Sequence, residues 1–153
     1  MHQLVYVSTA RAGRGEDDLK DILSRARETN QELCITGILV HLDGYFLQVL
    51  EGEQDRVRNL YARIENEPHH SSVKVLLESD VAKRAFPDWS MGFREASRDD
   101  PFTAGFVALM RRALEGRISR PEAQVLLTIV KTFYRAGEAA GDSVEREPIQ
   151  SVA

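Results

Sequence analysis

Cysteine is almost missing from this chain: Cys34 is alone among 153 residues. A single thiol excludes an internal disulfide and suits a reducing compartment. Placed among Leu33, Ile35 and Thr36, it reads as a small core residue rather than a nucleophile. There is no basic block either. Twenty Lys and Arg are interspersed with 24 Asp and Glu, for a net charge of −4, which argues against a general nucleic-acid footprint. No apolar run reaches membrane-spanning length, and no signal peptide precedes the first apolar segment; a soluble, cytoplasmic protein without a membrane partner is expected. Internal repeats are absent. The remainder, 42% hydrophobic and 29% charged, is the composition of one globular domain with a proper core.

The hydrophobic pattern orders the chain. His2–Thr9 reads as a strand with Leu4, Tyr6 and Ser8 on one face and Val5 and Val7 on the other. The Ala10–Gly15 loop follows, then a helix from about Glu16 to Glu28 carrying Leu19, Ile22, Leu23 and Ala26. Glu16, Asp17 and Asp18 in its first turn would repel a phosphate on the helix axis. Asn30 falls just past this helix and suits a C-terminal cap. A strand over Leu33–Leu42 is interrupted by Thr36-Gly37, a sign of close backbone approach. Asp43-Gly44 turns into the strand Tyr45–Gly52. A second helix spans about Glu53–Glu67 with Val57, Leu60, Tyr61 and Ile64 on its apolar face, and a fourth strand covers Val73–Ser79. The stretch Phe86–Phe93 gives a turn and a short fifth strand.

This order, β-α-β-β-α-β-β, predicts an α+β, ferredoxin-like sheet with two helices on one face. The strands are apolar on both faces, so the second face needs a cover. Two C-terminal helices supply it. One starts at Asp100-Pro101 and runs to Gly116; the other, opened by a Ser119/Glu122 capping box, runs to about Arg135. The latter carries Val125, Leu126, Leu127, Ile129, Val130, Phe133 and Tyr134, more apolar surface than one contact stripe uses, and a second subunit is expected on it. The organisation expected is a domain over 1–97, a helical interaction segment over 98–136 and a polar, mobile tail over 137–153.

One residue breaks the pattern. Gln48 is in phase with Phe46 and Leu50, where an unpaired amide group costs about 1–3 kcal/mol. It is either satisfied by the backbone or poised to bind a polar ligand. Tyr6, on the strand expected beside it, is either a satisfied core tyrosine or part of the same site. Together with Asn30, these groups could read the donor–acceptor edge of a planar heterocycle between two helices. The adjacent His69 and His70 lack the convergent partners of a metal site.

Tyr6 in its strand, Asn30 ahead of Ile35-Thr36-Gly37-Ile38-Leu39, the run Phe46-Leu47-Gln48-Val49-Leu50-Glu51-Gly52, and Phe86-Pro87-Asp88-Trp89-Ser90-Met91 closely resemble the BLUF domain, for blue-light sensing using flavin. The resemblance covers about residues 2–95, and the C-terminal helices are similar to those of short, single-domain members. It implies a noncovalent flavin, usually FAD with FMN the alternative, between the first two helices. Tyr6, Thr29, Asn30, Ile35, Gln48, Arg63, His69 and His70 are the binding residues it implies. Tyr6 and Gln48 would carry the photochemistry: light excites the flavin, Tyr6 donates an electron coupled to proton movement through Gln48, and Gln48 ends rotated or tautomerised. Trp89 or Met91 would carry the change outward. Thr29 stands where an Asn or His is often found beside the ring, and Glu67 where an aspartate is frequent.

The function expected is therefore a photoreceptor that is not an enzyme, acting on a separate effector protein or through a homo-oligomer, a dimer or larger ring. Two other classes compete. A dimerisation or regulatory module without ligand would leave Gln48 unexplained, and a small acyl-phosphate hydrolase on the same fold would need an arginine loop that the sequence does not offer.

Overall fold

The central strand pair follows from simple alternation. β1 (His2–Ala10) and β3 (Tyr45–Gly52) run antiparallel with Tyr6 opposite Gln48 and Leu4 opposite Leu50. Side chains of even number on both strands consequently share one face. The computed structural model describes residues 1–10, 16–42, 44–67, 70–87, 91–95 and 103–140, with the backbone alone at 10, 16–19, 70–71, 92–95, 103 and 133–140. The expected loop at 11–15, Asp43, Trp89, His69, the Asp100-Pro101 helix start and the tail beyond 140 lie outside the described residues.

Five strands form one sheet in the order β4-β1-β3-β2-β5. β2 (Thr36–Leu42) pairs antiparallel with β3, and β4 (His70–Asp80) pairs antiparallel with β1. β5 (Gly92–Glu95) joins β2 in parallel, a short edge strand beginning opposite Ile38. The helices α1 (Glu16–Glu32) and α2 (Gln54–Glu65) cover one face; α3 (Thr103–Leu114) and α4 (Arg120–Ala140) cover the other. This is the α+β, ferredoxin-like arrangement that the sequence predicts. No helix among the described residues is long and apolar enough to cross a membrane.

Two cores lie back to back. Leu4, Tyr6, Leu23, Leu39, Phe46, Leu50, Val57, Leu60 and Met91 form the core under α1 and α2. Val5, Val7, Ile38, Val40, Leu47, Val49, Phe86, Phe106, Met110, Leu126 and Val130 form the core under α3 and α4. Gly37 permits the contact between β2 and β3: a Cβ there would stand 1.8 Å from the carbonyl oxygen of Val49. The expected capping box at α4 is present, with Ser119 N–H donating to Glu122 at 2.9 Å and Glu122 N–H donating to Ser119 Oγ at 3.3 Å.

Some expectations fail around the end of α1. The helix continues to Glu32, so Asn30 lies within it rather than capping it. Ile35 N–H donates to Asn30 O at 2.8 Å and Cys34 N–H to Gln31 O at 3.2 Å, with Cys34 at φ 54°. That is the double bond of a Schellman cap, with Cys34 in the left-handed position that glycine usually takes. The turn throws Cys34 outward; it is exposed, not a core residue, and β2 starts three residues later than Leu33. α4 extends past Arg135 to Ala140. Of its apolar residues, Leu126, Leu127 and Val130 are buried against the sheet side, while Val125 is exposed.

A polar clamp ties the segment before β5 to the sheet. Glu51, fully buried, accepts from Ala85 N–H at 2.7 Å and Phe86 N–H at 3.0 Å. Arg84 donates to Thr36 Oγ1, Glu51 O and Cys34 O. Burial raises the Glu51 carboxyl above its ordinary range, opposed by those two amides and by Arg84 and Lys131.

Candidate functional site

Between α1, α2 and the sheet lies a cavity of about 260 Å³. Its aliphatic walls are Ile22 and Ala26 of α1, Leu39 of β2, and Leu60 and Ile64 of α2. Helical periodicity explains the set: residues three and four apart stand one above the other on the face turned to the sheet. Among these apolar groups two amides intrude, Asn30 at 1% and Gln48 at 5% exposure. Thr29 is half-buried on the same wall, and Arg25, Arg63 and Glu67 are exposed charged lining groups.

Gln48 is the hub. Its Cα partners are Tyr6 on β1 and Leu39 on β2. Its Nε2 donates to Met91 Sδ at 3.5 Å, a weak bond to a soft acceptor. Met91 is fully buried in the bend before β5. Tyr6 is fully buried too, next to a register shift between Val5 and Tyr6 where β1 meets β4. Its ring meets Tyr61 edge-on, centroids 5.5 Å apart. Burial pushes the Tyr6 phenol well above its ordinary value, with Glu67 and Tyr61 adding to the effect. The Tyr6 side chain is thus held as a neutral phenol.

Of the residues predicted from sequence, Thr29, Asn30, Gln48 and Arg63 converge on the cavity. Tyr6 stands behind Gln48 as its cross-strand neighbour and is not part of the cavity wall. Ile35 packs in the core, toward Gly52, rather than lining the cavity. His70 opens β4, opposite Ala10. His69 and Trp89 are outside the described residues. Sequence reading missed Arg27, a buried arginine on α1 whose Nε donates to Met91 O at 3.0 Å. The available signal was its phase: Arg27 lies one turn after Leu23 and one turn before Asn30, on the inward face. Among the described residues no cluster suits a metal ion.

Sheet order and paired helices define a ferredoxin-like domain with an apolar slot, edged by amides, between the helices and the sheet. The chain belongs to the BLUF family, sensors of blue light using FAD, whose family model matches residues 1–92. It is 37% identical over 89 residues to the photoactivated adenylate cyclase subunit beta of Euglena gracilis, a match covering 58% of this chain and 10% of that protein. It is 30% identical over 106 residues to the blue light- and temperature-regulated antirepressor BluF of Escherichia coli (strain K12), covering 67% of this chain and 26% of the relative. The chain therefore spans only a tenth to a quarter of these curated relatives. Among solved structures, the dark state of the BLUF protein BlrB matches with TM-score 0.61 and 29% identity over 83% of this chain and 96% of that one.

The residues present fit FAD. Ile22, Ala26, Leu39, Leu60 and Ile64 would hold the apolar faces of an isoalloxazine ring, the amides of Asn30 and Gln48 would meet its donor–acceptor edge, and Arg25 and Arg63 would supply cations for phosphates.

Proposed function

We propose that this chain is a blue-light photoreceptor, not an enzyme, in which Tyr6 and Gln48 perform the photochemistry and α3 and α4 pass the result to a separate effector protein or to another copy of the chain. One observation carries this reading: a buried amide, Gln48, set between a buried phenol on its own sheet face and a methionine sulfur, at the wall of a cavity suited to a flavin.

Bound flavin supplies the absorption of blue light and an acceptor for one electron. Tyr6 enters the reaction as a neutral phenol, because burial disfavours its charged form. An electron leaving that ring therefore takes the phenolic proton with it, since a cationic phenol in the same surroundings is costlier still. Gln48, directly across from Tyr6, has an amide able to exchange donor and acceptor roles and so to take and return a proton or to rotate. Rotation of that amide would replace the bond from Gln48 Nε2 to Met91 Sδ.

Output through the C-terminal helices is supported by the burial of two residues close in sequence, Phe86 and Met91. Met91 packs with Gln48 under α1 and α2, whereas Phe86, five residues earlier, is buried with Phe106 and Met110 under α3 and α4. Two residues only five apart in sequence are thus buried on opposite faces of the sheet, which supports a link from Met91 to the face under α3 and α4.

Gln48→Leu tests the reading. The variant is expected to purify yellow with flavin and to lose the light-induced red shift of the absorption band. A normal, reversible shift in that variant would remove Gln48 from the mechanism.

A further inference from the structure

Arg27 is a costly residue to bury. At 7% exposure its guanidinium has lost most of its water, which is tolerated only with good hydrogen-bond partners. One partner lies 64 residues away in sequence: Arg27 Nε donates to the backbone carbonyl of Met91 at 3.0 Å. Although Arg27 lies between cavity-lining neighbours in sequence, Ala26 and Thr29, it is not itself part of the wall. Its role belongs to Met91.

Met91 needs holding. It precedes the first rung of β5, a four-residue edge strand that, among the described residues, pairs only with β2. A methionine has three rotatable bonds, and a 3.5 Å contact to an amide is too weak to fix them. A charge-assisted bond to the carbonyl fixes the backbone from which that side chain hangs. We infer that Arg27 is a positioning residue: it fixes the start of β5 so that the sulfur of Met91 meets the Gln48 amide. Because Asn30 sits one turn along α1 on the same side, that helix sets the cavity amide and the β5 anchor as one rigid unit. The inference rests on the proposed role of Gln48 for its significance, but the anchor itself is separable from it.

Two substitutions cross donor and charge. Arg27→Gln places an Nε2 donor at the same distance along the side chain as the arginine Nε, without the charge. Arg27→Lys keeps the charge but puts carbon at that atom. Amide hydrogen exchange over Gly92–Glu95 is followed in the flavin-free and flavin-loaded full chain. Arg27→Lys is expected to speed exchange there about tenfold, the loss of the bond to the Met91 carbonyl, with β1 and β3 unchanged, and Arg27→Gln, which keeps the donor without the charge, to speed it less, by about threefold. The opposite order, equal acceleration in both variants, no change in either, or acceleration spread evenly through β1 and β3 would overturn the positioning role. Failure of the photochemical reading shows separately: Gln48→Leu would keep its red shift while the exchange pattern of the Arg27 variants stood.

Discussion

The two faces of this sheet are made from the same strands yet are built to different ends. Under α3 and α4, the odd-numbered residues of β1 and β3 meet Phe106, Met110, Leu126 and Val130 in a closely filled apolar layer. Under α1 and α2, the even-numbered residues of the same strands include Tyr6 and Gln48, and about 260 Å³ is left open beside Gln48. Strand alternation lets one backbone serve both, because neighbouring side chains never share a face. The packed face stabilises the domain. The open face spends some of that stability on a ligand site, as functional sites generally do.

The widest test strikes the layer that both faces share. Gly37→Ala would set a Cβ 1.8 Å from Val49 O, a collision with backbone that only separation of β2 from β3 relieves. A loss above about 4 kcal/mol is expected, read as little or no folded protein by circular dichroism. A folded Gly37→Ala variant with normal stability would show that the central pairing is not as close as described. Next, the same substitution separates the faces. Leu126→Ala, at a fully buried position in the layer under α3 and α4, should cost about 4 kcal/mol. Leu60→Ala, already bordering open space, should cost about 2 kcal/mol in the flavin-free protein. Equal losses in urea unfolding would mean that the open face collapses as fully as the packed one.

Most of this division could be read from the alternation of Leu4, Tyr6, Phe46, Gln48 and Leu50 against Val5, Val7, Leu47 and Val49, and from the surplus apolar surface beyond residue 100. The glycine at 37 also announced its close contact. What could not be read depends on contacts distant in sequence or on local geometry that several residue types satisfy. Nothing near Arg27 reveals that its partner is a carbonyl at position 91. Asn30 resembles a cap because asparagine favours that position, yet the chain uses Cys34 for the left-handed turn and keeps Asn30 helical. Cysteine is usually buried; here the turn, not the residue type, decides. The even-face residues were identified together, but only the folded chain separates wall from support, with Gln48 on the cavity and Tyr6 behind it.

The packed side of the sheet also buries polar groups, Gln3, Thr36 and Glu51, and the last of them gives the smallest and most selective test. Glu51 lies fully buried at the end of β3, holding the amides of Ala85 and Phe86. Burial raises its carboxyl above 4.5 despite those amides, Arg84 and Lys131. In the window from 4.5 up to the raised value, the folded chain holds this proton more tightly than the unfolded chain does. Folding is then linked to proton uptake, so the contribution of Glu51 to stability is greatest below 4.5 and is lost as pH rises through the window. The slope cannot exceed about 1.4 kcal/mol per pH unit for a single group. Glu51→Gln removes the titration. Thermal unfolding of both proteins across a pH series should show wild type losing ground against the variant as pH rises. The opposite trend would mean that the two amides and Arg84 outweigh burial. Glu51 would then be an ionised acceptor near the end of β3, held by the amides of Ala85 and Phe86.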